Sequence, residues 1–414
     1  MTLNSTLTRR RVLESLAALS IGASLTGGEA RTDSDIWSSI QGNPAHTGAC
    51  QRSRKEPIKG GPLWEVDLES NLTVPVVADD AVIVGTDAGS YVALSLRDGS
   101  TRWEHPSDSD ELYAGTVDHE TVYVPLEDDS LAALDLETGE PRWETRLEYA
   151  MYRNRAPIVS DNTVYTADRI GMVYAIDAMT GEIIWKTEDQ WVTWTISIDD
   201  ERVLLADGSF VVALDAETGR QEWTLEFRYP IWAPPTIAEH VYVSLGPSGS
   251  WVVALSKDEG ELQWEQQISD KPNTDIYPSA PIATNESVIV ADTEGVVAAF
   301  AHHDGSEKWR HEIDEQLSHH PVACQDTVYL PVDEHVLALS KSSGEVRWRT
   351  HVGEGPMSPA IVDDTLVVST EAGNVLALGQ EKEGLEVPGF GIGAGVAGLG
   401  GYLGYRWLRN QSAE

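Results

Sequence analysis

Short runs of apolar residues, bounded by turn-forming Gly, Asp, Asn and Ser, follow one another from about residue 62 to residue 380. Val211-Val-Ala-Leu-Asp215 and Asn374-Val-Leu-Ala-Leu378 are typical of them. Runs of this length and composition read as β-strands, in which successive side chains point to opposite faces. No segment between them carries the 3.6-residue period of a helix, so the region is all-β. One eleven-residue phrase punctuates the strands: Ala-x-(Asp/Ser)-x-x-x-Gly-x-x-x-Trp. It is clearest at Ala133 to Trp143, Ala175 to Trp185 and Ala213 to Trp223, and looser copies begin at Ala93, Ala254, Ala299 and Ala338.

Each part of the phrase has a physical task. Ala leaves room for a large neighbour, and Asp or Ser bonds the turn backbone. Gly supplies the positive φ that closes a short hairpin. The Trp heads the returning strand with a broad apolar face and one N–H to satisfy. Trp64, Trp103, Trp143, Trp185, Trp223, Trp264, Trp309 and Trp348 recur every 38 to 45 residues, and that period is the mark of a repeat architecture. A lone four-stranded sheet cannot bury its faces, so the copies must stack. Strands without intervening helices stack as a β-propeller. Trp64 lacks a strand before it, whereas the last unit, Asn374 to Leu378, lacks a Trp after it. The spacing therefore predicts an eight-bladed propeller over residues 62–380, closed by residues 62–68 joining the blade begun near residue 356. Seven blades and a stray strand is the alternative. The eight tryptophans are expected to be structural docking residues that fill core sites.

Charge changes the picture of partners. The 414 residues carry 67 acidic against 29 basic side chains, a net charge of −38. Such a field repels polyphosphates and excludes nucleic acid as an expected partner. Dense carboxylates of this kind resemble those of haloarchaeal proteins. The ends read differently from the middle. Arg9-Arg10-Arg11 precedes the apolar run Leu16 to Leu25, and residues 1–30 resemble a twin-arginine export signal. Residues 31–61 form a lead-in segment and 381–387 a short linker. Residues 388–409 are uncharged before Arg406 and long enough to cross a hydrocarbon core of roughly 30 Å. A transmembrane anchor there leaves residues 410–414 as a cytoplasmic tail and the propeller extracellular at the cell membrane. Pro388-Gly389-Phe390 also resembles the archaeal sorting signal cut by an archaeosortase, so cleavage with lipid attachment stays open beside a plain anchor. Cys50 and Cys324 could pair, but Cys324, in the apolar run Pro321-Val-Ala-Cys, reads more simply as a small buried thiol.

The repeated phrase, with Trp37-Ser-Ser-Ile-Gln-Gly-Asn-Pro-Ala-His46-Thr-Gly48 ahead of it, resembles the pyrroloquinoline-quinone repeat family over residues 37–380. That family holds eight-bladed quinoprotein dehydrogenases and a non-catalytic propeller of bacterial outer-membrane assembly, so the resemblance implies a fold more than an activity. The dehydrogenases carry an adjacent cysteine pair, a Ca²⁺ site and an Asp base. This sequence has no adjacent cysteines, and its acidic stretches such as Ser107-Asp-Ser-Asp-Glu111 fall in turns. No catalytic residue, metal ligand or cofactor is therefore expected, with the quinone and Ca²⁺ as the alternative. The first strands of the blades, which line the channel of a propeller, align at Pro75, Gly115, Pro157, Ile196, Pro235, Pro281, Pro321 and Pro359. Just before them stand Tyr113, Tyr152, Arg153, Arg155, Trp194, Trp232, Tyr277 and His319. They form a candidate aromatic and cationic mouth for a peptide, sugar or carboxylate ligand; loops that merely pack together are the plainer reading. The expected function is a binding or scaffold module with a protein or peptide partner at the surface of a haloarchaeal cell. A quinone-dependent dehydrogenase and a ligand-free surface component are the alternatives.

Overall fold

The computed structural model describes residues 36–39, 41–50, 58, 61–107, 114–126, 129–149, 151, 156–187, 195–246, 250–269 and 276–380. Within them eight small antiparallel sheets follow one another as the blades of a propeller. Blade 1 runs through Val76–Ala78, Ala81–Thr86, Ser90–Ser95 and Thr101–Pro106. Blades 2 to 7 repeat this order over residues 116–146, 158–186, 195–226, 236–269, 282–312 and 322–351. Innermost strands begin at or beside the aligned positions, for instance Thr116–Asp118 after Gly115 and Val322–Cys324 after Pro321.

Blade 8 is built from both parts of the chain. Ala360–Val362, Thr365–Ser369 and Asn374–Gly379 are completed by Gly61–Asp67, which pairs Trp64 with Ala377 and Glu65 with Leu376. The expected closure is thus present, and the count is eight. The same Ala–Trp cross-strand pair recurs in the other blades, as Ala93–Trp103, Ala133–Trp143, Ala213–Trp223 and Ala299–Trp309.

Burial departs from simple alternation. Ala81–Thr86 and Ser90–Ser95 are buried along their whole length, while the outer strand Thr101–Pro106 keeps only Trp103 fully inside. Middle strands are covered on both faces because a blade lies on either side of them. The apolar clusters bridge neighbours accordingly: one joins Tyr165 and Val173 of blade 3 to Ile196 and Leu205 of blade 4.

The tryptophans lock these layers. Trp103 Nε1 donates to the Leu136 carbonyl at 2.9 Å, Trp223 Nε1 to Lys257 at 3.0 Å, Trp264 Nε1 to His302 at 2.7 Å and Trp309 Nε1 to Lys341 at 2.8 Å, each in the turn of the next blade. The indole lies on that turn's glycine, Gly139 in the case of Trp103, whose φ of 72° is needed there, and Gly344 in the case of Trp309. Asp135 Oδ1 accepts the Glu137 and Thr138 amides and shapes the same turn. Trp348 breaks the pattern. Its Nε1 donates to the Ile58 carbonyl at 3.1 Å, so the chain just before the closing strand receives it.

Three features differ from the sequence reading. The docking tryptophans are not all core residues: Trp103, Trp223 and Trp264 are buried, but Trp64, Trp143, Trp185, Trp309 and Trp348 are only half-buried. All eight stand on the outer strand of a blade, where one face of the indole meets the next blade and the rim of the ring borders solvent, so even the buried three lie near the limit of the core. Cys324 is buried but is not a thiol: it is joined to Cys50 by a disulfide across 274 residues. The lead-in is also more than a spacer. Ile36–Trp37 adds a fifth strand to blade 1 on the inner side of Val76–Ala78, and residues 38–39 and 41–50 bond the innermost strands of other blades. The expected export segment 1–30, linker 381–387, anchor 388–409 and tail 410–414 lie outside the described residues. Among the described residues no helix is long and apolar enough to cross a membrane.

Candidate functional site

The ends of the innermost strands define two zones on the axis. At the starting end, a short bridge ties the approaching loop to the second strand of its own blade: Ile231 to Leu245, Pro278 to Asp292 and Leu317 to Val332. These bridges hold the side chains that follow or precede them. Beside buried Ile231, Trp232 stands 47% exposed, and Tyr277 beside Pro278 meets it edge-on with ring centroids 4.9 Å apart. Two residues after Leu317, His319 bonds Ser358 Oγ through Nδ1 at 2.6 Å and packs against His320 at 4.9 Å. His320 Nδ1 accepts the Ala280 amide at 3.2 Å, which leaves the ring proton on Nε2. Burial lowers His319 to about 4 and, with the neighbouring His319 and His46, holds His320 well below the usual imidazole range. Both rings are neutral at neutral pH.

At the finishing end, residues 36–39 and 41–50 cross the channel. Their carbonyls receive backbone N–H groups from the innermost strands, which otherwise have no inner neighbour. Val117 of blade 2 donates to Ser38, Ile198 of blade 4 to Pro44, Ile237 of blade 5 to Ala45 and Ala283 of blade 6 to Thr47, at 2.8 to 3.1 Å. In blade 7 Ala323 donates to Gly48 at 2.7 Å and accepts from Cys50 at 2.9 Å, next to the disulfide. Local chemistry shapes the crossing. Asn43 accepts the Thr47 amide and donates to its hydroxyl, Gly42 (φ 85°) lies against the Trp37 ring, and Gly48 (φ 63°) fits between Gln41 and Ile282. Trp37, Gln41 and His46 are almost wholly buried, and burial lowers His46 to about 4.

Of the sequence-predicted mouth, the structure brings Trp232 and Tyr277 together and places His319 in a separate, hydrogen-bonded cluster with Ser358 and His320. Tyr113, Tyr152, Arg153, Arg155 and Trp194 lie outside the described residues. The residues that sequence reasoning missed are those of the crossing: Gln41 and His46 gave no sign of an axial position, and the signal available was the non-repeating Trp37-to-Gly48 phrase itself.

Pyrroloquinoline quinone is a flat tricarboxylate and calls for cationic forks, with a metal held beside it. The described axial residues offer neutral imidazoles, an uncharged amide and an indole. Among the described residues no group of three or more His, Cys, Asp or Glu is arranged to hold a metal. The described residues do not fit that group.

Against known proteins, a family profile described as "Outer membrane protein assembly factor BamB" matches residues 53–189, 169–316 and 248–385. BamB of Yersinia pestis is 24% identical over 246 residues, covering 55% of this chain and 61% of its own. The alignment thus spans less than two thirds of that relative. The solved structure of BamB from Moraxella catarrhalis superposes with a TM-score of 0.63 at 18% identity, covering 78% of this chain and all of the other. Quinohemoprotein alcohol dehydrogenase from Comamonas testosteroni gives 0.68 at 15% identity, covering 85% and 82%. At such identities the structures show a shared fold. The profile, spanning most of the chain, shows that the chain belongs to the BamB family of quinone-type repeat propellers.

Proposed function

From membership of this family we infer that the chain is a protein-binding scaffold without catalytic activity. It is exported through residues 1–30, held at the membrane through residues 388–409, and presents its propeller outside a haloarchaeal cell. The observation that carries the reading is the half-exposed Trp232 against Tyr277 on the rim of a channel that the chain's own residues 36–39 and 41–50 cross. A crossed channel favours recognition at the rim over chemistry on the axis. An exposed Trp on a strongly anionic body is a natural anchor for a protein contact, since aromatic side chains supply most of the energy at interface centres. The other named mouth residues, Tyr113, Tyr152, Arg153, Arg155, Trp194 and His319, are proposed to extend that surface, the two arginines as forks for a carboxylate on the partner.

The test is capture of partner proteins by the membrane-solubilised full chain in high salt, followed by the same capture with Trp232→Ala plus Tyr277→Ala. Partners recovered with the parent are expected to fall at least ten-fold with the double variant while its melting temperature holds. Equal recovery would overturn the rim reading. The fold shared with an alcohol dehydrogenase keeps one second reading, a quinone-dependent oxidoreductase. Dye-linked alcohol oxidation that requires added quinone and Ca²⁺ would replace the scaffold reading with it.

A further inference from the structure

The outer strand of every blade is paired on one side only, so each blade turns one strand edge outward around the ring. An unguarded edge invites pairing with another strand, and a charged side chain on it is a common guard. The residue just before the docking tryptophan shows how this chain guards its edges. In blades 1, 2, 4, 6 and 7 it is Arg102, Arg142, Glu222, Lys308 and Arg347, all exposed, and in blade 5 it is Gln263. In blade 8 Pro62, which has no N–H to offer, precedes a half-buried Leu63. Blade 3 departs from all of these.

In its outer strand, Ile183–Lys186, the position belongs to Ile184, which is 54% exposed, and Ile183 beside it is 42% exposed. Met179, at the tip of the same hairpin, is exposed where blades 2, 4 and 5 carry Glu137, Glu217 and Asp258. Three uncovered apolar side chains on one hairpin of a body with a net charge of −38 mark a contact surface. The flanks of the strand identify what covers it. The edge reads Glu182-Ile183-Ile184-Trp185-Lys186. Laid antiparallel on a second copy of itself, centred on Ile184, it sets Ile184 against Ile184 and each Glu182 against Lys186 of the other copy. Opposite charges facing each other across an antiparallel pair stabilise it, and like charges oppose it. Lys186 already bonds Glu148 of its own chain, but an ammonium has three donors and can take a second carboxylate. The same operation fails on the other guarded edges. It would bring Arg102, Arg142, Glu222, Lys308 or Arg347 against itself, and in blade 5 it would set Glu261 against Glu265.

We propose that the outer edge of blade 3 is a homodimer interface, at which two copies of this chain join their Ile183–Lys186 strands antiparallel about a two-fold axis at Ile184. The two four-stranded blades then run into one continuous sheet. Ile183 and Ile184 leave water, and the two Glu182–Lys186 pairs fix the register. A slip of one residue would set Glu182 opposite Thr187 and undo both pairs. A contact of this kind uses the same patch on both copies and closes on itself. It involves neither Trp232 nor Tyr277 and does not rest on the scaffold reading.

Sedimentation of the detergent-solubilised full-length chain in high salt reads the association. The parent is expected to pass from monomer to dimer as its concentration rises. Ile184→Arg gives blade 3 the guard that blades 1, 2 and 7 carry, and is expected to weaken dimerisation at least ten-fold while the melting temperature holds. Leu262→Arg and Val346→Arg change comparably exposed apolar residues on the outer strands of blades 5 and 7, and should leave dimerisation within about two-fold of the parent. A cross-link locates the axis. Cys50 and Cys324 are the only cysteines and are bonded to each other, so Ile184→Cys adds a single free thiol. Mild oxidation should join two copies through residue 184, whereas Leu262→Cys should stay uncoupled. A parent that is monomeric at every concentration, a dimer that survives Ile184→Arg, a dimer lost equally with Leu262→Arg, or no cross-link through residue 184 would each overturn the proposal. A monomeric parent whose captured partners disappear with Ile184→Arg would instead make the edge a docking site for a strand of another protein.

Discussion

Gly139 and Trp103 show how one contact, repeated, makes a ring. The glycine has a φ of 72°, and a Cβ on it would lie 2.6 Å from Cδ2 of the indole. Two costs thus fall on one substitution: the left-handed backbone and the displaced ring. Gly139→Ala is expected to lower stability by more than about 1 kcal/mol. Trp103→Ala empties a buried site and is expected to lose about 3–5 kcal/mol. Half-buried Trp309 makes the same hydrogen bond from a wetter position, so Trp309→Ala should cost less than Trp103→Ala. Because Gly139 and Trp103 share a contact, their double variant should lose less than the sum of the single losses. Denaturant midpoints in high salt measure all of these, and strict additivity would show that the glycine and the indole do not bear on each other. Both residues were legible in the sequence, since a positive φ selects Gly and a docking face selects Trp in every copy. How deeply each Trp is buried was not, because that depends on the neighbouring blade. Gln41 and His46 were not legible either: a polar residue becomes an axial one only through strands scattered over the rest of the chain.

Among the elements, the closing strand carries the most. Gly61–Asp67 pairs with Asn374–Gly379, and Trp64 Nε1 donates to the Leu96 carbonyl of blade 1 at 2.8 Å. Removing it exposes the edge of blade 8 and strips blade 1 of its docking partner. A chain lacking residues 61–67 is expected to melt well below the parent, by more than any single-tryptophan variant, and to self-associate through the open edge. Calorimetry with light scattering reads both effects; a deletion that melts with the parent would show that the ring is held elsewhere. The blade strands were legible because each repeats the same Ala, Gly and Trp. Ile36–Trp37 and the crossing that follows were not, since they occur once and pair with six different blades. Repeat periodicity reports what a residue shares with its counterparts, whereas this segment is defined by what it touches.

For the molecule as a whole, the net charge of −38 sets the conditions under which it holds together. Arg202 bonds Glu222 and also meets Glu201 and Asp258, but cations are too few to neutralise such a surface locally. Screening must do the rest. Its length is about 3 Å at 1 M salt and about 10 Å at 0.1 M, so self-repulsion grows steeply on dilution. The melting temperature is expected to fall as salt drops from 4 M to 0.1 M, and an unchanged value would contradict a halophilic body. By itself the sequence determined the all-β class, the eight blades, the closure by an N-terminal strand and the docking role of the tryptophans. Each of these is a local pattern that every copy must satisfy to stack. Only the tertiary structure decided that Cys50 meets Cys324, that Trp232 meets Tyr277 on the rim, and that residues 36–39 and 41–50 cross the channel. Those pairings join residues far apart in the chain and occur once. They exist because closing the ring brings every innermost strand to one axis, where its unpaired amides require a partner.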